Sequence, residues 1–300
     1  MDFFLDLLVG GLTKGSIYAL IALGYTMVYG IIAVINFAHG EIYMISAFTA
    51  LIFGSILSSV GLAGWGLLFA VIAVSALYAA MYGWTVEKIA YKPLRGSSRL
   101  APLISAIGMS LFLQNFVLLA QTPNYLPFPA LVPDVPFPAI LTRHASDTQI
   151  VIILVTAASM ALLTLFIKKT RMGTAMRAVS QDLEMARLSG VDTDKIISFT
   201  FITGSVLAAV GGVLIGCGMR QIDFYIGFLA GMKAFTAAVL GGIGSVPGAV
   251  IGALILGFAE SFAAGYISSS YEDVVAFAFL ILILIFKPDG VMGAATTHKV

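Results

Sequence analysis

Residues 274–286 read VVAFAFLILILIF, and no polar side chain interrupts them. The run lacks the alternation that a membrane-barrel strand carries over about ten residues. It also leaves no polar stripe at the helical repeat, so a helix here must have apolar groups on every side. Helices and closed barrels are the only backbones that satisfy their own hydrogen bonds in lipid. The run is therefore a membrane helix, and it sets the reading of the chain around it.

Composition agrees. Of the 300 residues, 60% are hydrophobic and 10% charged, against about 45–50% and 25% in soluble domains. A mean hydropathy of +1.02 cannot belong to one buried core. A span takes about 20 apolar residues, which limits the chain to roughly ten. The net charge of +1 offers no basic face to nucleic acid. A single cysteine, Cys217, excludes an internal disulfide. Asp2 and Asp6 stand where a secretory signal would be basic, so the first helix is expected to stay.

Apolar runs predict helices at 8–34, 42–60, 62–87, 101–121, 148–167, 196–217, 228–241, 246–267 and 272–286. The fold class is all-α: a polytopic integral membrane protein of about eight or nine transmembrane helices, one domain over residues 1–300, some helices broken by Gly or Pro. Gly10, Gly11, Gly15, Gly24 and Gly30 could break the first, and the short 228–241 run could be half of a broken helix. Basic residues orient the bundle, because loops rich in Lys and Arg stay cytoplasmic. Lys88, Lys92, Arg95 and Arg99 follow the third span. Lys168, Lys169, Arg171, Arg177, Arg187 and Lys195 follow the fifth, and Lys287 and Lys299 the last. These alternate segments hold all but four of the sixteen basic residues. The C-terminus and the 168–195 loop are thus expected in the cytoplasm, and the proline-rich 122–147 loop outside.

Motifs for chemistry are missing. His39, His144 and His298 are far apart, and Cys217 has no partner at metal-ligand spacing. Neither a G-x-x-x-x-G-K-[ST] loop nor a G-x-S-x-G elbow occurs, so neither ATP hydrolysis nor acyl transfer is expected of this chain.

Two features look mechanical. From Thr174 to Gly190 the cytoplasmic loop reads as one amphipathic helix: Met176, Val179, Leu183, Ala186 and Gly190 form a stripe, with Arg177, Gln181, Glu184 and Arg187 off it. Thr174 is expected to cap its start, Gly190 to end it, and Asp192, Thr193 or Asp194 to cap the next span. Such a helix either packs on the bundle or inserts into a cytosolic partner. The second feature is AFTAAVLGGIGSVPGAVIGALILGFAE, 234–260. Gly241, Gly242, Gly244 and Pro247 interrupt a helix, and Gly248 and Gly252 allow close helix approach. The interruption is either a kink or a broken helix beside a passage. Lys233 and Glu260 flank it and are expected to reach toward headgroups.

Asn36, His39 and Glu41 fall in VINFAHGEIYMI, 34–45, between the first two spans. A charge costs about 2.5–3.5 kcal/mol at the bilayer centre, so a turn at the cytoplasmic edge is expected. There Asn36 would cap a helix, His39 be a hydrogen-bonded turn residue and Glu41 sit in the next first turn; the alternative is that Asn36, His39 and Glu41 form a gate or line the inner passage.

GSIYALIALGYTMVYGIIAVINFAHGEIYMISAF, RAVSQDLEMARLSGVDTDKIISFTFITGSVLAAVGGVL and KAFTAAVLGGIGSVPGAVIGALILG resemble the LivH-type permease of bacterial branched-chain amino acid ABC transporters. The likeness covers nearly the whole chain, and NFAHGE is specific to this group and its urea- and amide-importing relatives. It implies an inner-membrane importer that works with a LivM-like second permease, two cytosolic ATP-binding subunits and a periplasmic amino-acid-binding protein. ATP and magnesium would be bound by those ATPases and no cofactor by this chain. The resemblance also implies that residues 174–191 are a coupling helix of E-A-A-x-x-x-G type. Glu184, Ala186 and Gly190 match that pattern, and Met185 replaces its middle alanine.

Candidates to line the passage are Tyr18, Tyr25, Thr26 and Tyr29 on the first helix, with Ser105, Gln114 and Asn115 on the fourth; helix–helix hydrogen bonding is the alternative for each. Urea, short amides or another amino acid are alternative solutes. A secondary transporter would bury a carboxylate or histidine at mid-membrane, whereas Glu41, Glu87, Glu260, Glu272 and Asp273 all lie near predicted span ends. A channel-like pore would not need the coupling helix.

Overall fold

A computed structural model describes residues 2–98, 100–133, 137–138 and 142–293. Arg99, His298, Lys299 and parts of the proline-rich loop lie outside these residues. The described chain is helical almost throughout: α1 (Asp2–Ile32), α2 (His39–Ser59), α3 (Gly64–Val86), α4 (Leu100–Ala120), α5 (Asp147–Lys169), α6 (Arg171–Gln181), α7 (Leu183–Leu188), α8 (Thr193–Met219), α9 (Ile226–Gly241), α10 (Val246–Tyr266) and α11 (Glu272–Phe286). One π turn, Glu87–Tyr91, extends α3. Among the described residues eight helices are long and apolar enough to cross a membrane, and α9 is a shorter apolar helix. All nine apolar runs of the sequence are helices.

α1 is the central post. It runs unbroken through its glycines, and every residue from Gly15 to Val28 is buried. It packs chiefly on α10, then α8 and α9. Around it the helices become lipid-facing: α11 buries Ala276 alone, while Ile281, Leu284, Ile285 and Phe286 are exposed. That is the all-round apolar character of 274–286 put to use.

Contacts sort the loops to two ends of the bundle. At one end Lys92 and Arg95 meet Asp194. We call this the basic end. At the other, β1 (Leu126–Pro127) pairs antiparallel with β2 (Gln221–Ile222), His144 meets Asp6, and Phe128 and Leu131 are buried. The described part of the proline-rich segment is thus packed onto the bundle and held by a two-residue edge strand, which proline tolerates.

Gly241, Gly242, Gly244 and Pro247 do interrupt a helix, but they do not split one span into halves. They form the turn of an α9–α10 hairpin. Gly242 and Gly244 take φ of +102° and +97°, Ser245 accepts from the Gly248 N–H at 3.2 Å, and Pro247 sits in the first turn of α10. The chain after α11 returns to this turn. There Val291 N–H donates to the Leu240 carbonyl and Met292 N–H to that of Gly241, at 2.8 and 3.0 Å.

Candidate functional site

The 33–38 segment does not stay at the membrane edge. Ala33 adopts φ +52°, α1 stops, and the chain climbs back into the bundle before α2 begins at His39. The His39 ring lies between Gly24 and Gly204, where a Cβ on Gly24 would overlap the imidazole. Gly24 lies eight residues before the end of α1 and Gly204 eleven after the start of α8. At 1.5 Å per residue, His39 is about 12–16 Å inside the basic end. The expected boundary turn is therefore a re-entrant segment whose tip reaches the middle of the bundle. Asn36 does not cap α2. Its Oδ1 accepts from the Tyr91 hydroxyl at 3.2 Å, which also donates to the Ile35 carbonyl at 3.1 Å. Ala38 is the cap residue, without a side-chain bond. The deepest part of this irregular backbone, at Asn36 and Ala38, is buried in protein, which is where such backbone is tolerated.

A second element enters from the opposite end. After α8 and β2 the chain turns inward, and α9 starts against α2: a Cβ on Gly40 would strike the backbone of Gly227 and Gly231. Two helix N-termini thus meet at mid-bundle with glycine against glycine. Glu41 lies in the first turn of α2, and its Oε2 stands beside Gly227 in the first turn of α9. Both helix dipoles present their positive ends to this carboxylate, each worth up to about 2 kcal/mol in partly buried geometry. Glu41 Oε1 accepts from the Ser110 hydroxyl at 3.1 Å. Glu41 Oε2 and His39 Nε2 have no hydrogen-bond partner among the described residues. A cavity of about 70 Å³ adjoins Glu41, lined also by Tyr25, Phe37, Ser110, Phe228 and Gly231 among others. It has room for water. Tyr25 stands edge-on to His39, with ring centroids 5.0 Å apart.

The structure therefore gathers Tyr25, Asn36, His39 and Glu41. It separates the other candidates. Tyr18 lies elsewhere on α1, where its hydroxyl donates to Glu260 at 2.8 Å. Thr26 is buried without a partner for its hydroxyl among the described residues, and Tyr29 is half-buried. On α4, Gln114 is buried, Asn115 is exposed and donates to the Leu111 carbonyl, and Ser105 is half-buried. Ser110, which the sequence reading passed over, is the α4 residue that meets Glu41.

The charges are also deeper than the sequence suggested. Lys233 and Glu260 do not reach outward separately. Lys233 Nζ lies 3.2 Å from Glu260 and 2.7 Å from Asp273, and Glu260 is fully buried. Glu87, likewise fully buried, pairs with Arg95 and accepts from Ser198 at 2.7 Å. Buried carboxylates persist because each has a cation or hydroxyl beside it. A compensating pair split across two apolar helices was the signal available in the sequence.

At the basic end the single amphipathic helix expected over 174–190 is two helices. Thr170, not Thr174, caps α6 by accepting from Gly173 N–H at 3.0 Å. Asp182 breaks the stripe and caps α7, accepting from Met185 N–H at 2.9 Å. Asp192 caps α8 at 3.1 Å, and its carboxyl is held below the usual range chiefly by Lys195. Gly190 ends the segment with φ +83°. Met176, Val179 and Ala186 are buried, and Gln181, Glu184, Arg187 and Gly190 face outward. Arg177 is exposed yet turned back onto the Ile167 carbonyl and Thr174. Leu183 is not on the buried stripe. With Met185 and Leu188 it forms an uncovered apolar knob, 38%, 61% and 82% exposed.

Residues 7–284 match the family model described as "Branched-chain amino acid transport system / permease component". The chain is 49% identical to the high-affinity branched-chain amino acid transport system permease protein LivH of Escherichia coli, covering 99% of this chain and 98% of that one. It is 50% identical to the permease protein BraD of the same kind of system in Pseudomonas aeruginosa, over 99% and 98%. A probable branched-chain amino acid transport permease of Methanocaldococcus jannaschii is 26% identical over 96% and 92%. No solved structure matches.

Proposed function

This chain belongs to the permease family of branched-chain amino acid transport systems, and on that premise we propose that it is a permease subunit of an ATP-driven importer of leucine, isoleucine and valine. It spans the bacterial inner membrane with its basic end in the cytoplasm, as the distribution of Lys and Arg favours. A LivM-like second permease, two cytosolic ATPases and a periplasmic amino-acid-binding protein complete the assembly. ATP and magnesium belong to the ATPases, and this chain performs no catalysis.

The α7 knob carries the reading. Leu183, Met185 and Leu188 are apolar, exposed and at the basic end, in a loop outside the candidate spans. An ATPase groove is a cover of the right chemistry, since exposed apolar clusters mark interaction sites. The knob connects to the mid-bundle site through short contacts. α7 leads through Asp192 into α8; Asp194 holds Arg95 at 2.6 Å; Arg95 holds Glu87; and α8 carries Gly204 against His39. Movement of α7 thus bears on the α2–α9 junction, which acts as the gate. Leu188→Glu is expected to abolish co-purification with the ATPases and leucine uptake together, leaving the permease folded. Normal association and uptake by that variant would sink the coupling role.

One observation favours a second reading. Glu41 is a buried carboxylate at mid-bundle, not near an edge as the sequence suggested, and ion-coupled transporters carry such groups. Uptake in vesicles separates the two. An ABC importer stops when an ATPase subunit is left out and persists when the proton gradient is collapsed; a secondary transporter does the reverse.

A further inference from the structure

Between α1, α5, α8 and α9 lies a cavity of about 650 Å³ opening at the proline-rich end. That is well within the range of about 300–1,000 Å³ typical of small-molecule sites. Three features distinguish it from a lipid-filled crevice. Lys14 Nζ and Glu272 Oε2 meet 2.7 Å apart on its wall, 35% and 23% exposed, so both charges reach the cavity. Ile17, Ile152, Ile215, Ile226 and Leu229 give it a branched apolar lining. Tyr43, from the middle of the bundle, also lines it; this residue is fully buried, and its hydroxyl has no partner among the described residues. An orphaned buried hydroxyl is a cost that a bound polar group would relieve.

We propose that this cavity receives the free solute: an amino-acid zwitterion with an aliphatic side chain. Lys14 takes the carboxylate, Glu272 the ammonium, and the isoleucine-rich wall the side chain. The paired charges suit a ligand that carries one of each, because they can part to meet it without leaving either unpaired. A solute with a single charge would strand the other member of the pair. The Tyr43 hydroxyl serves a ligand that moves inward, since Tyr43 lies on α2, the helix whose first turn carries Glu41. This inference rests on the importer reading above.

The test uses the complete reconstituted complex carrying Gln149→Cys, a position on the cavity wall. Cys217 is the sole native cysteine of this chain and is buried, so label from a charged thiol reagent added outside, read on this chain after the subunits are separated on a denaturing gel, reports position 149. Saturating leucine is expected to slow labelling several-fold, whereas isovalerate and isoamylamine, with one charge each, leave it unchanged. Absence of protection by leucine in a complex that transports leucine overturns the site and leaves the importer reading standing. So does failure of position 149 to label at all. A correctly assembled complex that transports no branched-chain amino acid overturns the importer reading instead. Lys14→Glu with Glu272→Lys adds a second readout. The reversed pair preserves a structural bridge but misplaces both charges for a ligand held in this orientation, so the leucine KM is expected to rise about tenfold or more. Full recovery of uptake in the double variant, after loss in each single one, would make the pair structural and overturn the assignment.

Discussion

Replacing Lys233 by methionine removes the ammonium that pairs with Glu260 in the interior of the hairpin. At 3.2 Å and an effective dielectric of about 20, that attraction alone is about 5 kcal/mol. Most of it offsets the desolvation of the two charges, so its size is not the net worth of the pair. What the substitution exposes is the imbalance. Glu260 is fully buried and, among the described residues, keeps only the Tyr18 hydroxyl, at 2.8 Å, as a donor. Asp273 is half exposed and can be rehydrated. Breaking a buried pair from one side costs about 3–5 kcal/mol, whereas replacing both partners with apolar residues is neutral or stabilising by about 1–4 kcal/mol. Lys233→Met is therefore expected to lose about 3–5 kcal/mol, and Lys233→Met with Glu260→Leu to recover most of it. Unfolding in mixed micelles with a rising fraction of dodecyl sulfate, followed by helical circular dichroism, measures both. A single variant within about 1 kcal/mol of the parent, or a double variant no better than the single, would refute the reasoning.

Three further outcomes are expected. Gly24→Ala places a methyl on the His39 imidazole and is expected to cost about 1–3 kcal/mol of overpacking; adding His39→Ala should relieve part of that in the same unfolding assay. Glu41→Gln keeps the Ser110 contact and the fold but removes the charge between two helix N-termini, so uptake should fall while ATP hydrolysis by the complex continues; normal uptake would remove Glu41 from the gate. Asp223 lies outside the spans, and burial holds its carboxyl above the usual range. It gives up its proton at higher pH folded than unfolded, so it costs stability as pH rises above about 3.9. Asp223→Asn is expected to gain on the parent in melting temperature from about pH 4 toward neutral, and a constant difference would contradict this.

The helices were legible because lipid enforces a simple rule. Runs such as 274–286 and 101–121 have one stable conformation there, and all nine predicted runs are helices, the largest boundary error being six residues at the start of α1. Depth was not legible. VINFAHGE reads the same whether it turns at an interface or climbs back into the bundle; the decision rests with Gly24 and Gly204, distant in sequence, which make the space for His39. The glycines of α1 looked like breaks because local propensity disfavours them, but helix contacts use their missing side chains. Asp182 misled in the opposite way. The 174–190 stripe continues across it at the right spacing, and only the cap to Met185 shows that the chain restarts there. Of the candidate site, four residues gathered as a group, while their partner Ser110 could not be told from other polar residues of α4.

The short α9 has a consequence for how the chain enters the membrane during synthesis. Its 16 residues span about 24 Å, less than the roughly 30 Å hydrocarbon core, and they include a lysine that insertion disfavours. Alone it is a poor substrate for the translocon. With α10 it forms a hairpin in which Lys233 finds Glu260 and the turn carbonyls face the returning C-terminal segment. The two helices are therefore best inserted as one unit. A ribosome paused after residue 241 would hold a segment that has yet to commit to the bilayer.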